Sequence, residues 1–198
     1  GIVDVYPALN PLGIDSITRG IPMFDLDMNR IFPGSEDGQM MESVVYRLMQ
    51  DLKGADLCVD IHASNIFLME IPQVRINEIS AKTLVPLAEK INVDFVWVHG
   101  AATVLESTLA YSLNKAGTPT LVVEMGVGMR ITKTYGYQLV EGILNVMKEM
   151  GVWEGTTESR SYLPIMRSAI STRTAPGSMS RMSGSERRSE KGIFWEKS

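Results

Sequence analysis

Residues 56–62 read DLCVDIH, a strand-forming apolar run that ends on a histidine. Its continuous apolar character is that of a strand buried on both faces. Two similar runs follow: DFVWV at 94–98, just before His99, and TLVVE at 120–124, ending on Glu124. Helical periods separate them. Met41, Val44, Val45, Leu48, Met49 and Leu52 recur at i, i+3, i+4 spacing and predict a helix over Gln39–Lys53, closed by Gly54. Further helices are predicted over Ile76–Ile91, over Thr103–Ala116 before Gly117, and over Thr132–Met150 before Gly151. Ile2–Tyr6 and Ile66–Ile71 read as shorter strands, the second stopped before Pro72. Residues 7–36, with Pro7, Pro11, Gly13, Gly20, Pro22, Pro33 and Gly34, read as one long loop. A loop of that length in a compact domain is usually functional or else conceals structure of its own. The alternation predicts an α/β fold with a mostly parallel or mixed sheet and helices on both faces. In such sheets ligands gather beyond the carboxyl ends of strands, where His62, His99, Glu124 and the loop after Tyr6 all fall.

Composition narrows the classes. The 198 residues carry 19 Lys+Arg and 23 Asp+Glu, a net charge of −4, with one Cys and two His. One thiol makes neither a disulfide framework nor a Cys-rich zinc module, which points to a reducing, cytoplasmic setting. No apolar run reaches the roughly 20 residues of a bilayer span, so no membrane partner is expected. An acidic chain without a basic stripe is a poor ligand for nucleic acid. Oligomeric state is not legible. The composition divides near residue 155: residues 1–155 hold the strand–helix alternation, and residues 156–198 read as a largely irregular tail. Ten of the tail's residues are serine, and Ser171–Arg188 is too poor in large apolar residues to offset chain entropy.

Several residues have side chains suited to chemistry. Arg19, Asn29 and Arg30 share the long loop with Asp25 and Asp27. Two guanidinium forks and an amide suit a substrate carboxylate; equally, an Arg–Asp network would tie the loop down. Asp60 and His62 project to one side of a strand, since side chains alternate with period two. His62 is a metal ligand, a base or a capped structural histidine. Glu124 closes an apolar strand, where burial raises a carboxyl pKa and suits it to general acid–base work. Gly126 and Gly128 follow it, short of a complete dinucleotide fingerprint. Cys58 lies within an apolar strand and reads as a buried thiol, not a nucleophile.

Pro7-Ala8-Leu9-Asn10-Pro11, Thr18-Arg19 and Asp25-Leu26-Asp27-Met28-Asn29-Arg30 with Phe32-Pro33-Gly34 together resemble the succinylglutamate desuccinylase/aspartoacylase family of zinc carboxypeptidase-like hydrolases. Asp60-Ile61-His62 and Val123-Glu124-Met125-Gly126 follow in the family's order. The resemblance covers about residues 1–150. It implies zinc-dependent hydrolysis of the amide of a small N-acyl amino acid, with one zinc ion as cofactor. In that scheme His62 is a zinc ligand, Glu124 the general base, and Arg19, Asn29 and Arg30 the substrate-binding set. The family's His-x-x-Glu ligand pair does not occur in the sequence, so the other ligands are expected upstream of Gly1, in a chain shortened at its N-terminus. The alternative is a pseudoenzyme that binds carboxylates without metal. Family members often continue into a small β-rich domain, for which Tyr162–Thr174 would supply the first strands.

Overall fold

The computed structural model describes residues 1–100, 106–157 and 165–168. Its elements run α1 (Pro11–Ser16), a 3-10 turn (Met28–Arg30), α2 (Met40–Leu52), β1 (Cys58–His62), β2 (Glu70–Asn77), a second 3-10 turn (Glu78–Ser80), α3 (Ala81–Ala88), β3 (Phe95–His99), α4 (Leu109–Lys115), β4 (Thr120–Gly126), α5 (Lys133–Glu149) and β5 (Ile165–Ser168). The five strands form one mixed sheet in the order β1-β4-β2-β3-β5. β1 with β4, β2 with β3 and β3 with β5 are parallel; β4 with β2 is antiparallel. The predicted α/β class with a mixed sheet and helices on both faces is the observed one.

Period-two alternation gives the sheet two unlike faces. The registers pair Cys58 with Thr120, His62 with Glu124, Arg75 with Val122 and Trp97, and Asn77 with His99. These residues therefore share one face. The opposite face carries Val74, Ile76, Val96, Val98, Leu121 and Val123, all buried with Leu84 and Ala88 of α3 and Leu139 and Val146 of α5. Each such side chain contributes about 1.5–3 kcal/mol when fully buried. A second core holds Val45 and Met49 of α2, Leu109 and Leu113 of α4, and Ile21, Met28 and Phe32 of the long loop, with Cys58 packed at its edge.

Several expectations are corrected. Ile2–Tyr6 is not a strand: it joins no ladder among the described residues, and Ile2 and Val5 stand 89% and 78% exposed. Strand propensity alone does not order a segment that pairs with nothing. The strand expected at Ile66–Ile71 lies instead at Glu70–Asn77, and the helix expected from Ile76 begins at Ala81. Pro72 sits inside β2 where the β2–β4 register slips between Glu70 and Gln73, a bulge that accommodates a residue with no N–H. Residues 7–36 are not all loop. Asn10 accepts the Gly13 N–H and Pro11 opens α1, a cap and first-turn proline written plainly in the sequence. The helix expected over 103–116 starts, among the described residues, at Leu109, with Thr108 as its cap; residues 103–105 lie outside the described residues. Of the expected tail, Ile165–Ser168 forms a strand of the main sheet, and Ser171–Arg188 lies outside the described residues.

Two close approaches fix the helices. Gly34, at φ +74°, lies so near the Glu42 carbonyl and the Tyr46 amide that any Cβ would collide with α2. Gly142 of α5 rests on the Ile91 backbone in the same way. Beside it Asn92 and Gln138 exchange side-chain–backbone bonds of 3.1 and 2.8 Å.

Candidate active site

The sheet's polar face and α4 enclose a cavity of about 330 Å³. Arg19, Asn29, Arg30, His62 and Glu124 all line it, although they come from three separate stretches of chain. Asp60 lines it too.

The strands supply the acid–base groups. His62 and Glu124 are Cα partners at the carboxyl ends of neighbouring parallel strands, with both side chains on the cavity face. Asp60 Oδ2 lies 3.0 Å from His62 Nε2. That hydrogen bond raises the imidazole pKa above 6.5, against burial, which lowers it. Asp60 thus turns out to be the histidine's own partner, two residues back on one strand. It orients the ring and leaves Nδ1 as the nitrogen available to a ligand. Burial raises the Glu124 carboxyl pKa; the Arg75 and His62 charges act the other way. A carboxyl so tuned exchanges protons nearer neutrality than an exposed one.

The loop supplies the cationic edge. Arg19 is largely exposed and pairs through Nη2 and Nε with Asp27 Oδ2, both at 3.1 Å. Asp27 also accepts the Asn29 N–H through Oδ1 at 2.9 Å. Both readings of this loop therefore have support: it is tied down by an Arg–Asp pair, and its cations face the cavity. Asn29 Oδ1 accepts the Leu109 N–H at 2.9 Å, which joins the loop to the start of α4. What Asn29 offers a ligand is its amide NH2. Arg30 donates through Nη1 to the Asn29 carbonyl at 2.7 Å.

His99 also lines the cavity, but at its other end. Because β2 runs antiparallel to β4, the carboxyl end of β3 points away from that of β4. Asn77 and His99 are partners four residues beyond the Gln73–Glu124 rung, a separation of about 13 Å along the strand. His99 Nδ1 meets the Gly100 carbonyl at 2.9 Å, and its ring meets Trp97 edge-on at 5.7 Å. Gly126 and Gly128 belong to a tight turn. Gly126 has φ +72°, Val127 bridges to Arg130, and a Cβ on Gly128 would press on the Ser64 carbonyl. Turn geometry accounts for both glycines without a phosphate. Cys58 is partly buried and its thiol pKa is pushed up to about 11, mainly by burial, so it is a poor nucleophile.

Sequence reading missed Arg75, Asn77, Tyr111 and Asn114 as cavity residues. The signal for the first two was present. Gln73, Arg75 and Asn77 alternate with Val74 and Ile76 as a half-polar strand does, but a proline at 72 reads locally as a strand's end.

Zinc is not accommodated by these residues alone. A catalytic zinc takes three protein ligands, and no group of three or more His, Cys, Asp or Glu among the described residues is placed to hold a metal. His62 with its Asp60 partner is the fragment that fits.

Comparison with known proteins gives a consistent result. The family model "Succinylglutamate desuccinylase/Aspartoacylase catalytic domain" matches residues 2–150. A succinylglutamate desuccinylase/aspartoacylase structure from Rhodobacter sphaeroides is 28% identical, with a TM-score of 0.69 over 82% of this chain and 51% of that one. The product-bound ectoine utilization protein EutE (DoeB) from Ruegeria pomeroyi is 19% identical, with a TM-score of 0.72 over 83% and 51%. A succinylglutamate desuccinylase from a Silicibacter species is 19% identical, with a TM-score of 0.70 over 80% and 50%. The last two likenesses speak for the fold alone. The chain spans about half the length of each of these structures. No curated protein matches it. No helix of the described residues is long and apolar enough to cross a membrane.

Proposed function

Because the chain belongs to the succinylglutamate desuccinylase/aspartoacylase catalytic-domain family, we propose that it carries the acid–base and substrate-binding part of a hydrolase for N-acyl amino acids. The observation that supports this reading is the convergence of Arg19, Asn29, Arg30, His62 and Glu124 on one cavity. In this proposal Arg19, Arg30 and the Asn29 amide hold the substrate carboxylate, as guanidinium forks do. Glu124 takes a proton from the attacking water and returns it to the leaving amine, for which its raised pKa suits it. An arginine at the cavity edge offsets the charge that develops on the amide oxygen. His62 stands as one zinc ligand of a set that residues outside the described ones must complete. A cytoplasmic setting goes with a small soluble substrate and a single, poorly reactive thiol.

The test is hydrolysis of N-acetyl- and N-succinyl-amino acids, followed by amine release. Glu124→Gln is expected to lower turnover by about 10²–10⁴-fold while substrate still binds. Full activity in that variant removes Glu124 as the base.

A second reading is favoured by one observation, the lack of a three-residue ligand set among the described residues. In it the chain binds carboxylates through Arg19, Asn29 and Arg30 and catalyses nothing. Calorimetry with an N-acyl amino acid separates the two: equal affinity with and without zinc, and no turnover, supports the binder.

A further inference from the structure

The polar face of the sheet holds one cation that neither the loop nor the family motifs account for. Arg75 lies on β2, its Cα paired with Val122 of β4, two rungs from the Gln73–Glu124 pair and on the same face. Its guanidinium is shared between two carboxylates. Nη2 meets Glu70 Oε2 at 2.8 Å, and Nη1 meets Glu124 Oε1 at 3.4 Å. Gln73 donates to the same Glu70 oxygen at 3.0 Å. The guanidinium carbon stands 5.5 Å from the centre of the Trp97 ring, within the range of a cation–π contact. Nε is buried and has no hydrogen-bond partner among the described residues.

The two contacts differ in kind. An arginine paired with one carboxylate frequently sets two nitrogens on it. Here the short bond and the indole fix the arginine, Nε goes unsatisfied, and the looser contact is left for Glu124. A carboxylate locked in a short two-pronged pair would be restrained in reaching a water. One steered by a single contact keeps its second oxygen available. Glu70, Gln73 and Trp97 all act on Glu124 through Arg75.

We propose that Arg75 is a positioning residue for Glu124: braced by Glu70, Gln73 and Trp97, it aims the Glu124 carboxylate across the cavity face toward His62 and leaves one carboxylate oxygen free for the reacting water. The proposal rests on the reading of Glu124 as the base, and its test has two arms so that the two can fail separately.

The first arm needs no activity. In the ¹⁵N-arginine-labelled chain, the Arg75 Nε–Hε signal is shifted by the Trp97 ring current. It moves back in Trp97→Leu and moves again in Glu124→Gln, with far-UV circular dichroism showing that both variants fold. A signal indifferent to Glu124→Gln overturns the proposal. The second arm is hydrolysis. Arg75→Ala lowers kcat by about 100-fold with KM within about threefold, the scale of a misplaced catalytic group. Arg75→Lys, or added guanidinium with Arg75→Ala, restores about a tenth or more of the loss. Equal changes in kcat and KM with no rescue mark a merely structural arginine and overturn the proposal. If the unsubstituted protein binds zinc yet hydrolyses no N-acyl amino acid, the hydrolase reading falls and Arg75's catalytic sense with it, while the first arm still reports the brace.

Discussion

At the scale of single residues, His62 titrates under the influence of the Asp60 carboxylate beside it. The bond from Asp60 favours the protonated imidazole, so the folded-state pKa lies above the ordinary 6.5. A raised histidine pKa stabilises the fold fully below the unfolded value and ceases to do so as pH rises through the folded one. The metal-free chain is therefore expected to become less stable as pH climbs from 6 past the raised His62 transition. Denaturant unfolding between pH 5 and 9 measures it. Asp60→Asn should flatten that part of the curve, and an unchanged slope would assign it elsewhere. The motif residues were legible in the sequence because their chemistry is local. Asp60 and His62 are two apart on one strand face, and Glu124 closes an apolar run. Arg75 was not, because its value comes above all from Glu124 and Trp97, which only the sheet register brings to it.

Among the elements, α5 owes its seat to an absence of side chain. Gly142 touches the Ile91 backbone, and Asn92 and Gln138 stitch the same contact. Gly142→Ala gains helix propensity yet is expected to destabilise by about 1–3 kcal/mol, because the added carbon must displace backbone and not a pliable side chain. Thermal unfolding of the variant checks the sign; a raised Tm would show that the helix shifts freely. Elements with strong periods, α2 and α5, were read from sequence to within a residue or two. The region 66–91 was not. Pro72 looked like a stop and is a bulge, and Ile76 looked like the first turn of a helix and is the inner face of β2. Periodicity there changes from two to 3.6 over a few residues, and the turn Glu78–Ser80 that separates the periods is too short to announce itself.

Taken whole, the molecule is a sheet with a dry side and a wet side. Valine, leucine and isoleucine from β2, β3 and β4 meet α3 and α5 on one side. On the other, aspartate, histidine, glutamate and arginine face a cavity that α4 only partly closes. The α/β class followed from the alternation of strands and helices. The strand order did not, because the antiparallel β4–β2 pairing is a long-range choice with no local signal, and it alone moves His99 to the far end of the cavity. β1 stands at the rim of this sheet, with β4 as its one neighbouring strand among the described residues. Cys58 donates its N–H to the Pro119 carbonyl at 2.8 Å, and the parallel ladder turns the amides of Asp60 and His62 the same way. The amides of Val59 and Ile61 then face outward. In deuterated water these two are expected to exchange their protons at least about tenfold faster than Cys58 and Asp60 between them, a sawtooth along five residues that proton-by-proton spectroscopy can read.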